Sequence, residues 1–170
     1  AGFRVMYAGN VGAAQDFPSI LAAAERLKSR ADIQWIILGD GRLHDWVRQE
    51  VEKRYLTQTV HLLGNHPLTS MPALFTQADV MMVTLRRDPI FALTIPGKLQ
   101  SYLACGRPVI GMLDGEGARI IRESGAGLVC DAEKPGDLAE RVLELYAMPK
   151  SSREQMGLLG AVEQQRQQLI

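Results

Sequence analysis

Lys98 sits in the stretch TIPGKLQSYLACGRPVIG, residues 94–111, just after a Pro96–Gly97 break that reads as the start of a helix. The helix dipole disfavours a cation in a first turn, so a lysine there calls for a bound anion. Amides at the helix start, the Thr94 hydroxyl and the Lys98 ammonium together predict an anion cradle of phosphate size. The plain alternative is a surface loop with a solvated lysine that contributes little to the fold.

Other groups are less specific. Gly9 and Gly12 in AGNVGAAQDF allow a tight turn and close approach to a ligand, but they lack the G-x-G-x-x-G spacing of a dinucleotide fingerprint. By itself this loop is a strand-to-helix turn. Gly39-Asp40-Gly41 reads as a turn with Asp40 capping the next helix. In LDGEGARII, Asp114 and Glu116 fit either sugar or ribose hydroxyls, or a cap and a first-turn charge. His66, in GNHPLTSMP, has no acidic or cysteine partner at useful spacing, and His44 and His61 complete no metal set. Cys105 and Cys130 read as small buried hydrophobes of a reducing compartment. No Ser-His-Asp or Cys-His set and no carboxylate pair stands out. The groups describe a binder of something anionic and nucleotide-like.

The elements that must hold these loops are short apolar runs alternating with longer amphipathic ones. Strands are predicted at Phe3–Ala8, Ile33–Leu38, Val60–Leu63, Val80–Val83, Pro108–Met112 and Gly127–Cys130. Ile20, Ala23, Ala24 and Leu27 keep helical spacing, as do Leu138, Val142, Leu145 and Tyr146. Asp40, Ser70 and Asp114 are expected to cap the helices that follow them. WIIL and VMMV lack polar alternation, as parallel strands covered on both faces do. The fold class is therefore α/β, a Rossmann-like doubly wound parallel sheet of about six strands, with ligands expected at the strands' carboxyl ends. Residues 1–150 form the predicted Rossmann-like domain. Residues 151–170 form a Gln-rich helical tail that either packs on it or reaches toward a missing part. The connection from Thr84 to Lys98 shows no clear period, and long loops of this kind are often functional.

The chain of 170 residues balances 19 basic against 19 acidic side chains, which removes the case for nucleic acid. No apolar run approaches the roughly twenty residues of a membrane span. No signal peptide is visible, so a cytoplasmic location is expected. The start at Ala1, without Met, reads as a cut through a longer protein.

Taken in order, YAGNVG, IILGDG, VHLLGN…MPALFTQADVMMVTL, IPGKLQSYLACGRPVIG and GAGLV…LAERVLEL resemble the C-terminal half of a GT-B glycosyltransferase. The likeness is greatest to retaining group-1 (family 4) enzymes of bacterial surface-polysaccharide assembly, and it spans nearly the whole chain. It implies a nucleotide-diphosphate-sugar (UDP-sugar) binding half facing a missing N-terminal acceptor domain, with a glycan or polyprenyl-linked acceptor. It implies no cofactor or metal, and a place in the cytoplasm or, through the missing domain, on the inner membrane face. It places Gly9, Asn10, Gly12, Thr94 and Lys98 on the diphosphate, and Asn65, His66 and Pro67 around the base. Family glutamates for ribose and sugar align with Ala92, beside Leu93, and with Ser101, so neither carboxylate is present. The arginine and lysine many relatives use on the diphosphate align with Asn10 and Gln15. A nucleotide-sugar 2-epimerase half, or a non-catalytic nucleotide-binding module, are the competing readings. A receiver-type signalling domain is disfavoured because no acidic pair follows the first strand.

Overall fold

The structure, a computed structural model, describes residues 2–169. Six parallel strands form one sheet: β1 (Phe3–Ala8), β2 (Ile33–Leu38), β3 (Val60–Gly64), β4 (Val80–Thr84), β5 (Val109–Met112) and β6 (Gly127–Cys130). Their order is β3-β2-β1-β4-β5-β6, so the winding reverses between β1 and β4. Pro108 stands just outside β5: it has no N–H, and only its carbonyl joins the sheet, accepting from the Met81 amide.

Helices cover both faces, which is why WIIL and VMMV are apolar throughout. One layer holds α1 (Phe17–Arg26), α2 (His44–Lys53) and α7 (Pro135–Ala147), with Phe3, Val5 and Tyr7 pointing into it. The other holds α3 (Met71–Phe75), α5 (Gly97–Ala104) and α6 (Glu116–Ser124), packed on Met6 and Ala8. The aperiodic connection after β4 contains one short helix, α4 (Pro89–Ala92), whose first turn is capped by Asp88 accepting from the Ile90 amide at 2.8 Å. The tail is α8 (Lys150–Gln168), and it lies along α5. Gly157 permits this: a Cβ there would stand 1.9 Å from the Gly106 carbonyl oxygen.

Three expected caps are corrected. Helix α2 starts only at His44, so Asp40 is too early to cap it and instead accepts from the Gly41 amide at 2.7 Å. Ser70 occupies the position before α3, but its hydroxyl donates backwards to the Pro67 carbonyl at 2.7 Å. Gly115, not Asp114, precedes α6; the Asp114 carboxylate accepts from the Ala132 amide at 3.0 Å and from Arg87 Nε at 3.1 Å. In each case a turn or a tertiary donor outcompetes the local helix amides.

Candidate functional site

The reversal between β1 and β4 leaves a gap at the carboxyl end of the sheet. β1 pairs with β2 along its whole length, but with β4 only through Val5 and Met6. The end of β1 therefore needs other partners. Tyr102, from α5, supplies them: its buried hydroxyl accepts from the Ala8 amide at 2.9 Å and donates to the Ala8 carbonyl at 3.1 Å. One phenol thus replaces a strand partner and joins α5 to the loop after β1.

That loop is packed against the one after β2. A Cβ on Gly39, whose φ is +128°, would fall 1.9 Å from the Gly9 carbonyl oxygen. The Val11 amide donates to Asp40 at 3.0 Å, and the Gly39 amide to Gly64 at 2.8 Å, so three strand ends are laced together. The Asn10 side chain lies between Gly12 and Gly41. The Gly12 amide donates to Gln15 Oε1 at 3.0 Å, which closes the turn.

Lys98 reaches over the end of β1 to Tyr7, which belongs to the opposite layer. Its Nζ donates to the Tyr7 hydroxyl at 2.7 Å and lies 4.3 Å from the ring centroid. A Cβ on Gly9 would come within 2.8 Å of Nζ, so the ammonium lies directly against the backbone of that loop. Lys98 is half-buried and pairs with no carboxylate among the described residues. Burial alone lowers its pKa to about 8. It is not the solvated lysine of the plain reading.

Beside it opens a cavity of about 540 Å³. Gly9, Lys98 and Ser101 line it together with Tyr102, Cys105 and an apolar wall of Leu68, Met71, Pro72 and Phe75. Among the described residues no acidic side chain lines it. Burial raises the Cys105 thiol, which donates to the Tyr102 carbonyl at 2.9 Å.

The remaining sequence-predicted residues lie around this centre. Asn65 is exposed; His66 is half-buried, with a buried Nε2 that has no partner among the described residues. Both stand on the β3 loop that leads to Leu68. Thr94 is exposed, and its hydroxyl already donates to the Ile90 carbonyl at 2.7 Å. Leu93 is exposed at the end of α4, and Ala92 is held under Gly115, where a Cβ would sit 2.0 Å from the Ala92 carbonyl oxygen. Gly9, Lys98 and Ser101 are thus brought to one cavity, whose lining among the described residues does not include Ala92, Leu93 or Thr94.

Sequence reasoning missed Tyr7 and Tyr102, because their partners lie 91 and 94 positions away. It also missed Arg87. That side chain donates to Asp114 at 3.1 Å and to the Ala132 carbonyl at 3.0 Å, while its amide donates to Glu133 at 2.7 Å. The loops after β4, β5 and β6 are tied by this one residue. Hydrogen bonding to the Ala132 amide, assisted by Arg87, holds the Asp114 carboxyl below its usual range. Among the described residues no three His, Cys, Asp or Glu side chains gather as a metal set, and no helix is long and apolar enough to cross a membrane.

Comparisons with known proteins point one way. Residues 2–148 match the family model described as glycosyl transferases group 1. An uncharacterized glycosyltransferase of Methanocaldococcus jannaschii is 26% identical over 114 residues, which is 67% of this chain and 31% of the relative. Among solved structures, Anabaena HepE in complex with UDP superposes with a TM-score of 0.82 at 15% identity, covering 97% of this chain and 44% of that one. The C-terminal domain of a group 1 glycosyl transferase from Francisella tularensis gives 0.78 at 16% identity, covering 98% and 86%. The chain spans about a third of the curated relative it matches.

Proposed function

From the premise that the chain belongs to the group 1 glycosyltransferases, we propose that it is the nucleotide-sugar half of a retaining enzyme of the family 4 type. The donor is a UDP-sugar, and the acceptor is a glycan or polyprenyl-linked saccharide of bacterial surface-polysaccharide assembly. A second domain of the same protein carries the acceptor, so this chain alone transfers no sugar. The bond from the sugar's anomeric carbon to the diphosphate breaks, a bond from that carbon to an acceptor hydroxyl oxygen forms, and the hydroxyl's proton passes to the departing diphosphate. Negative charge grows on the leaving diphosphate. A fixed cation and a helix N-terminus stabilise that charge best where water is scarce.

The observation that carries the proposal is Lys98: a half-buried ammonium without a carboxylate partner, at the start of α5, facing the Gly9 loop at the point where the sheet reverses. Such a site favours an anion. The adjoining apolar cavity suits a nucleoside. The solved UDP complexes of similar fold are consistent with that choice. Gly9 and Lys98 hold the diphosphate, helped by the Asn10 and Gly12 loop and by Thr94 once its hydroxyl turns outward. Asn65 and His66 frame the base, and Ser101 faces the ribose as a neutral contact; Ala92 and Leu93 border the sugar. Titration of UDP, GDP and UDP-sugars into the chain by calorimetry tests the reading. Binding of a UDP species below millimolar supports it, and no binding of any at millimolar concentration defeats it.

One observation favours a second reading, a nucleotide-binding module without transferase activity: the cavity has no carboxylate among the described residues. Sugar transfer by the longer parent protein would reject it.

A further inference from the structure

Tyr7 is fully buried, yet it carries a hydroxyl, and buried phenols are kept only with partners. Its single proton goes to the Asn10 carbonyl at 2.5 Å. The oxygen's lone pairs are thereby turned outward, where Lys98 Nζ donates to them at 2.7 Å. The ring itself cannot drift, because Phe17 packs edge-on against it at 5.0 Å. The ammonium thus lies between a phenol and the bare face of Gly9.

We infer that Tyr7 is the positioning residue of Lys98: the phenol oxygen and ring hold the ammonium over the Gly9 loop and help to keep it charged in a half-buried place. The value of this for donor binding rests on the function proposed above.

The surroundings leave that task to Tyr7. Among the described residues the titratable groups facing Lys98 are Tyr7 from β1, Tyr102 from α5 and Cys105 just after it; the wall from α3 and the turn before it is apolar. Burial raises both phenols well above their usual range, so they remain neutral. Tyr102 is committed to both polar groups of Ala8. No carboxylate contributes to the Lys98 shift, whose sole cause is burial. Of the ammonium's three protons one is engaged by Tyr7, and no other hydrogen bond forms among the described residues. The others stay available to a ligand.

Tyr7→Phe keeps the ring and its contact with Phe17 and removes only the acceptor. The rate of Lys98 acetylation by acetic anhydride against pH, read by peptide mass spectrometry on the ligand-free chain, reports the amine's midpoint. The parent should titrate near 8, and Tyr7→Phe about one unit lower, as expected for losing a hydrogen bond to a charged group. UDP methyl ester, whose diphosphate does not itself titrate near neutrality, should then bind about fivefold more weakly to the variant at about pH 8, from the smaller charged fraction. Uridine binding should be unchanged. An unchanged Lys98 midpoint in a folded Tyr7→Phe protein overturns the inference, since a merely structural tyrosine would not move it. If Tyr7→Phe does not fold, 3-fluorotyrosine placed at position 7 is the weaker acceptor; it must lower the midpoint too, and no shift again overturns the inference. A lowered midpoint with no UDP ester binding to either protein upholds the Tyr7–Lys98 coupling and defeats the donor-site reading instead.

Discussion

Replacing Lys98 by Ala removes a cation that the fold holds at some cost, and the cost indicates the size of the effect. Burial brings the amine to about 8 from a free-lysine value of about 10.4. Without ligand, its one polar partner among the described residues is Tyr7. A diphosphate arriving beside Gly9 would supply the missing counter-charge in a partly desolvated setting. A charge-assisted contact of that kind contributes about 1.5–3 kcal/mol, or roughly ten- to a hundredfold in affinity. Lys98→Ala should weaken UDP by that factor and leave uridine nearly unchanged, as measured by calorimetry at about pH 7. Stability should move the other way. Between about pH 8 and pH 10.4 the unfolded chain binds more protons than the folded one, so the parent gains stability as pH rises through that window. Lys98→Met should lose that rise and be more stable than the parent below pH 8 by about 1–2 kcal/mol in urea unfolding, after allowance for partial exposure and the phenol contact. A solvated lysine would change neither quantity. If Lys98→Ala binds UDP as tightly as the parent, the anion-site reasoning is wrong.

Further outcomes follow from the loops. Gly39→Ala puts a Cβ against the Gly9 carbonyl at a φ of +128° and should cost about 2–4 kcal/mol in urea unfolding, with UDP binding impaired in the folded fraction; a neutral effect would mean the two glycine turns are not packed as described. Tyr102→Phe leaves both polar groups of Ala8 without their partner and should cost about 1–3 kcal/mol, read as a lowered Tm. Arg87→Ala breaks an exposed pair, so overall stability should hardly change in urea unfolding. Its loss should nevertheless speed amide exchange in the loops after β4, β5 and β6, and unaltered exchange there would remove Arg87 from its tying role. The chain by itself should show no transfer with any donor and acceptor pair, and turnover would defeat the two-domain reading.

What was legible in the sequence is what repeats locally. Burial imposes a period on side chains, so β1, β2 and β6 coincide with their apolar runs at both ends, and α1 and α7 with their spacing. The Pro96–Gly97 break before Lys98 marks a helix start wherever the chain goes. Capping was not decided so locally. Asp114 is close enough to α6 to cap it, yet its carboxylate goes to Ala132 and Arg87, brought near by folding. The aperiodic connection after β4 hides α4 because four residues are too few to show a period. Nothing in the residues next to Tyr7 or Tyr102 marks the partners their hydroxyls find. Only the reversal of the sheet between β1 and β4 leaves strand ends unpaired, and it places α5 where Tyr102 can bond Ala8 and Lys98 can lie on Tyr7. Sequence period records which side chains are buried; which polar atom meets which across more than ninety residues depends on how the layers close.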